Sequence, residues 1–146
     1  MPTTWRAAHT IAELTLALTL MGLMAAIAVP PLAATSARWR LRAAGGDVVN
    51  AITYARETAL ARGVQSTVVI DDASGEVRVT AGADTLFRRA ISALHGVTLA
   101  TSGDSVRFAP DGLATGVSNL TVLLVLGTRV DSVVVSRLGR VRWSGQ

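Results

Sequence analysis

The longest apolar stretch of the chain runs from Leu14 to Ala37, with one carboxylate, Glu13, at its head and no further charge until Arg38. At about 1.5 Å per helical residue, such a run is long enough to cross a hydrocarbon core of roughly 30 Å. A carboxylate at the lip of an apolar span is costly unless something pairs with it, which marks Glu13 as a functional residue. Pro30 and Pro31 predict a kink or a short break, because proline removes an intrahelical hydrogen bond and crowds the preceding turn.

The helical pattern continues past the apolar run in amphipathic form. Leu41, Ala44, Val48, Ile52, Ala55 and Ala59 recur at spacings of three and four, while Asp47, Asn50, Arg56, Glu57 and Arg62 fall largely elsewhere. Gly63 follows a basic last turn and supplies a stop. The spacing therefore predicts one helix from about Thr10 to Arg62. Gly45 and Gly46 weaken it by roughly 1 kcal/mol each relative to alanine.

Beyond Gly63 the period changes from helical to alternating. Ser66–Asp71 and Glu76–Ala81 flank a polar Asp-Ala-Ser-Gly turn and read as a hairpin. Val97–Thr101, Ser105–Ala109, Leu120–Leu126, Val130–Ser136 and Gly139–Trp143 are further strands, the last three an antiparallel meander. The expected class is α+β, a long N-terminal helix whose amphipathic half packs on a mostly antiparallel sheet.

Composition narrows the function more than it names it. The 146 residues carry a net charge of +4 that comes from arginine alone, since lysine is absent. A bias toward GC-rich codons accounts for that, and the basic balance permits anionic partners without demonstrating one. With no cysteine there is no disulfide framework, thiolate metal site or thiol nucleophile. His9 and His95 lie far apart in the chain, and His95 is expected in a loop before a strand. Asp71 and Asp72 read as turn formers that bond their own backbone. No phosphate loop, nucleophile elbow or zinc spacing is present. An enzyme is not expected, and neither a cofactor nor a metal is implied.

Three readings fit the N-terminus: a cleaved secretory signal, a plain membrane anchor, or an anchor whose short leader is removed ahead of the apolar run. Glu13 offsets Arg6 where a signal peptide wants positive charge, and the run exceeds a usual signal core. Arg38, Arg40 and Arg42 follow the run closely; a positive-inside count would put the C-terminal domain in the cytoplasm.

The N-terminal residues resemble the prepilin signature of type IV pilins and type II secretion pseudopilins. Ala8, His9, Thr10, Ile11, Ala12 and Glu13 occupy the places of the cut, the first mature residues and the glutamate, and Gly22 and Pro30 match the mid-helix glycine and proline. Ala8 stands where the family usually has glycine, and His9 where it has phenylalanine or methionine. Ile52–Gly63 (ITYARETALARG), Arg107–Gly116 (RFAPDGLATG) and Val133–Trp143 (VVVSRLGRVRW) are similar to the minor pseudopilin H group, the GspH/FimT-type domain.

The resemblance implies a pilin-like fold with a leader over residues 1–8, a transmembrane and filament-core helix over 9–37, and a periplasmic globular domain over 38–146. It implies a minor pseudopilin of a type II secretion pseudopilus, a single-pass inner-membrane subunit for protein secretion. Prepilin peptidase would cut between Ala8 and His9, and the new α-amino group would be methylated. Its partners would be other pseudopilins or pilins, the peptidase and inner-membrane lipid. Glu13 would pair with a neighbour's N-terminus during assembly, and Pro30 with Pro31 would bend the helix. The alternative is a FimT-like minor type IV pilin that binds DNA for uptake. Gly139, Arg140, Val141 and Arg142 match a Gly-Arg-x-Arg stretch linked in such pilins to DNA contact. In a strand, Arg140 and Arg142 would share a face, with Arg137 nearby.

Overall fold

The structure is a computed structural model that describes residues 10–115 and 119–144, without the side chains of residues 28–34. The chain divides into two compact units, Met1–Ser36 and Ala37–Gln146. Helix α1, Ile11–Arg62, is continuous through Pro30 and Pro31, so the short break does not occur. The side chains of both prolines lie outside the described residues, as do Ala8 and His9.

In the first unit, the large apolar side chains from Ile11 to Ile27 are all exposed. The hydroxyls among them are satisfied within the helix: Thr15 Oγ1 donates to the Ala12 carbonyl at 2.9 Å and Thr19 Oγ1 to the Leu16 carbonyl at 2.8 Å. From Leu14 to Ile27 the helix therefore exposes a mainly apolar surface. Among the described residues, no helix is long and apolar enough to cross a membrane. The apolar run read from the sequence extends through 28–34, beyond the side chains described.

The second unit is built on the predicted stripe. Leu41, Ala44, Val48, Ile52, Ala55 and Ala59 are all buried. Each large one contributes about 1.5–3 kcal/mol of hydrophobic stabilisation over an exposed position. The helix stops where Gly63 takes φ +63°, a left-handed conformation that costs glycine little. Ser66 then ties strand to helix, its buried hydroxyl donating to the Ala55 carbonyl at 2.6 Å.

The nine strands assigned among the described residues form two antiparallel sheets rather than one. The first has the order β3 (Asp84–Ala90), β2 (Glu76–Ala81), β1 (Ser66–Asp71), β5 (Ser105–Phe108), β6 (Ala114–Thr115), and the second β4 (Thr98–Thr101), β7 (Asn119–Leu126), β8 (Arg129–Ser136), β9 (Val141–Ser144). Strands β1 (Ser66–Asp71) and β2 (Glu76–Ala81) make the predicted hairpin, in register from Ser66 opposite Ala81 to Asp71 opposite Glu76. Strands β4 (Thr98–Thr101), β5 (Ser105–Phe108), β7 (Asn119–Leu126) and β8 (Arg129–Ser136) follow the expected runs closely. Val68, Ile70, Val77, Val79, Phe108, Val122 and Val133 fill one core together with the helix stripe.

Three elements were not anticipated. Strand β3 (Asp84–Ala90) lies at the sheet edge, mostly exposed, with only Leu86 and Phe87 partly buried and no alternation. It is held by Gly82, which takes φ +60° in a two-residue loop, and by Arg88 Nε, which donates to Glu76 Oε1 across the strands at 2.8 Å. A single-turn helix α2 (Ile91–His95) follows, and β6 (Ala114–Thr115) is a two-residue pairing onto β5. The last strand, β9, is Val141–Ser144, so Gly139 and Arg140 belong to the turn before it.

Candidate interaction surface

His95 is not in a loop but in the last turn of α2, and its environment explains it as a structural residue. Its Nε2 lies 2.8 Å from Asp47 Oδ2, and the other oxygen of Asp47 accepts from Arg89 Nη1. Arg40 Nε donates to the His95 carbonyl at 2.7 Å. One carboxylate and one guanidinium of α1 thus clamp β3 and α2. The sequence places Asp47 off the apolar stripe, and nothing local shows that a distant cation and imidazole meet it. Arg40 has a fold-level use, which accounts for one of the three arginines that follow the apolar run.

Asp71 Oδ1 accepts the backbone N–H groups of Ala73 and Ser74, each at 3.1 Å. The Ser74 hydroxyl, its N–H, the Ala73 N–H and the Arg78 charge together hold the Asp71 carboxyl below the usual carboxylate range. This is a turn-forming aspartate, as expected.

Glu13 stands in the first turn of α1, where Thr10 Oγ1 accepts its backbone N–H at 3.2 Å. Thr10 therefore caps the helix start, and the Glu13 carboxylate sits where it complements the helix dipole.

The arginines near the C-terminus are distributed unevenly. Arg140 and Arg142 are exposed and line the same open groove of about 380 Å³, and Arg56 of α1 joins them from across it. Arg137 is exposed in the β8–β9 turn and does not line this groove. Arg56 was legible in the sequence only as a polar position off the stripe; its place beside Arg140 and Arg142 depends on β9 lying along α1.

Two glycines position that groove. Gly139 takes φ +71° and Gly112 φ +77°. A Cβ built on Gly139 would lie 3.3 Å from Phe108, 3.4 Å from the Gly112 carbonyl and 3.8 Å from Arg56 Cδ. A Cβ on Gly112 would lie 3.0 Å from Leu60 Cγ. The Pro110–Leu113 loop, the β8–β9 turn and the last turns of α1 therefore press together, and a side chain at either glycine would push its neighbours back by a few tenths of an ångström besides straining a left-handed backbone.

A family model described as type II transport protein GspH matches residues 44–139. No curated protein matches the chain by sequence. Among solved structures, the chain is similar to the type IV minor pilin FimU of Pseudomonas aeruginosa, with a TM-score of 0.64 at 14% identity over 73% of this chain and 90% of that one. It is also similar to the minor pseudopilin EpsH from the type 2 secretion system of Vibrio cholerae, with a TM-score of 0.58 at 11% identity over 73% and 97%. At these identities the likeness is one of fold, and it agrees with the α+β, pilin-like arrangement described above.

Proposed function

The chain belongs to the type II transport protein GspH family, and on that premise we propose that it is a minor pseudopilin of a type II secretion pseudopilus, acting as a structural subunit without catalysis. The observation that carries this reading is the helix surface from Ile11 to Ile27, exposed throughout and with its hydroxyls bonded internally. Such a surface suits lipid before assembly and neighbouring helices after it. In this reading prepilin peptidase removes residues 1–8 by cutting between Ala8 and His9, and the His9 amino group is methylated. Residues 9–37 anchor the subunit in the inner membrane and later enter the filament core, and residues 38–146 face the periplasm. Glu13 pairs with the N-terminus of a neighbour, an attraction that is strong in a low-dielectric bundle. Pro30 and Pro31 bend the helix between the two halves.

Mass spectrometry of the mature N-terminus tests the reading. A chain beginning at His9, with or without a methyl group, is expected. A chain beginning after Ala34 or Ala37 would mean a cleaved signal peptide and a secreted domain, and would end the pseudopilin reading.

A second reading, a minor type IV pilin that binds DNA for uptake, is favoured by one observation: Arg56 joins Arg140 and Arg142 on one groove. A cluster of three exposed guanidinium groups suits phosphate contacts.

A further inference from the structure

Asp131 holds a core-side position of β8 that the packing does not explain. It is only 7% exposed, yet it makes no hydrogen bond or ion pair among the described residues. Burying a carboxyl group costs stability unless something pairs with it. Its oxygens are not sealed in, because the one fully buried side-chain polar atom without a partner among the described residues is Arg78 Nε. Asp131 opens instead on a groove of about 760 Å³, within the size range of small-ligand sites.

The groove wraps the edge of β8. Strand β9 pairs with β8 as far as Ser144 opposite Ser132, and the two hydroxyls bond each other at 2.7 Å. Past that pair, Arg129, Val130 and Asp131 line the groove, which is why its lining comes from both faces of the strand. Leu123 and Val130, both exposed, form an apolar wall. Arg38 of α1 lines the same groove, and neither Arg38 nor Arg129 has an ion pair or hydrogen bond among the described residues.

We propose that this groove binds a zwitterionic phospholipid head group, an ammonium joined to a phosphate; the proposal rests on the membrane-anchor reading above. A lone phosphate would be repelled by Asp131, and a lone cation by two guanidinium groups. A ligand carrying both charges suits both: Arg38 and Arg129 donate to phosphate oxygens, and Asp131 accepts from the ammonium. A DNA backbone, all anion, is a poor match for the same carboxylate. The lipid source follows from the chain. Arg38 comes directly after Ala37, the last residue of the apolar run, so its Cα lies about 3.8 Å further on. In the anchor reading that is the head-group layer, where the exposed indole of Trp39 also belongs.

The test uses the full chain in nonionic detergent micelles, with bound lipid counted by native mass spectrometry. It is titrated with short-chain phosphatidylethanolamine and, separately, with phosphatidylglycerol, which has the phosphate without the ammonium. Phosphatidylethanolamine is expected to bind about tenfold more tightly, the scale of one charge-assisted hydrogen bond. Asp131→Asn, close in size, should abolish that preference, whereas Arg38→Gln should weaken the binding of both lipids. The proposal is overturned if the wild type holds the two lipids equally, or if Asp131→Asn keeps the preference. Should Asp131→Asn fail to fold, undiminished binding of phosphatidylethanolamine by Arg38→Gln, an exposed position, overturns it as well. Competition by O-phosphoethanolamine as strong as by the lipid itself overturns the lipid source and assigns the groove to a soluble phosphoamine. Release of the full chain from cell membranes by alkaline carbonate refutes the anchor reading. Absence of the lipid preference from a chain that resists carbonate refutes only the head-group site.

Discussion

The indole of Trp143 rests on α1 at Gly45: a Cβ built on Gly45 would fall 2.8 Å from Trp143 Cζ2 and 3.0 Å from Cε2. The neighbouring Gly46 has nothing within 4 Å of the same construction. Two adjacent helical glycines that look equivalent in the sequence therefore have different reasons to be glycine. Gly46→Ala is expected to stabilise the domain by about 0.5–1 kcal/mol through helix propensity and a less flexible unfolded chain. Gly45→Ala is expected to destabilise it by about 1 kcal/mol, as overpacking does. Thermal melts of both variants, and of Gly45→Ala combined with Trp143→Ala, check this; the double variant should regain the helix-propensity benefit.

Asp47 holds two elements that the hydrophobic pattern leaves unanchored. Asp47→Ala leaves Arg89 and His95 without their shared acceptor, both at positions only partly open to water. The expected loss is about 1–3 kcal/mol, below that of a fully buried pair because Arg89 remains hydrated. Urea denaturation should show a lower midpoint, and hydrogen exchange should show the protection loss concentrated in Asp84–His95.

Acid stability should report the Asp71 turn. The Asp71 carboxyl is held below its ordinary value of 3.8 in the folded chain. A depressed folded value means its contribution is complete above the unfolded pKa and fades as pH falls through the folded one. Asp71→Asn should therefore flatten part of the acid-side decline in the urea midpoint below pH about 4, and leave the decline at higher pH unchanged.

Glu13→Gln is expected to leave membrane insertion and leader removal intact while impairing incorporation into filaments beside wild-type partners. Pull-down of assembled filaments, with mass spectrometry of the N-terminus as the processing control, reads both. Incorporation at the wild-type level would reduce Glu13 to a first-turn charge seated beside the Thr10 cap.

For the DNA reading, the wild type should retard duplex DNA at about 50 mM salt, where phosphate contacts dominate. Arg56→Ala, Arg140→Ala and Arg142→Ala should each lower the salt slope by about 1 if each contacts a phosphate. Arg137→Ala, outside the groove, should have less effect. Absence of a shift at low salt removes this reading.

Much of the architecture was legible because it is written locally. A stripe repeating every three to four residues needs only its own helix to be recognised, and Leu41 through Ala59 are buried as the spacing demands. Alternation in β1 and β2 and the turn between them are equally local, as is the apolar surface from Ile11 onward. The edge strand β3 was illegible for the same reason: a mostly exposed strand leaves no alternation, and it is tied down by Glu76 and Asp47 in other elements. Tertiary structure alone decided that the strands split into two sheets, that Gly45 faces an indole, and that Arg56 of α1 lines one groove with Arg140 and Arg142. Periodicity records which side of an element faces the core. Which distant element covers that side is set by pairing and packing across the chain, and no local pattern encodes it.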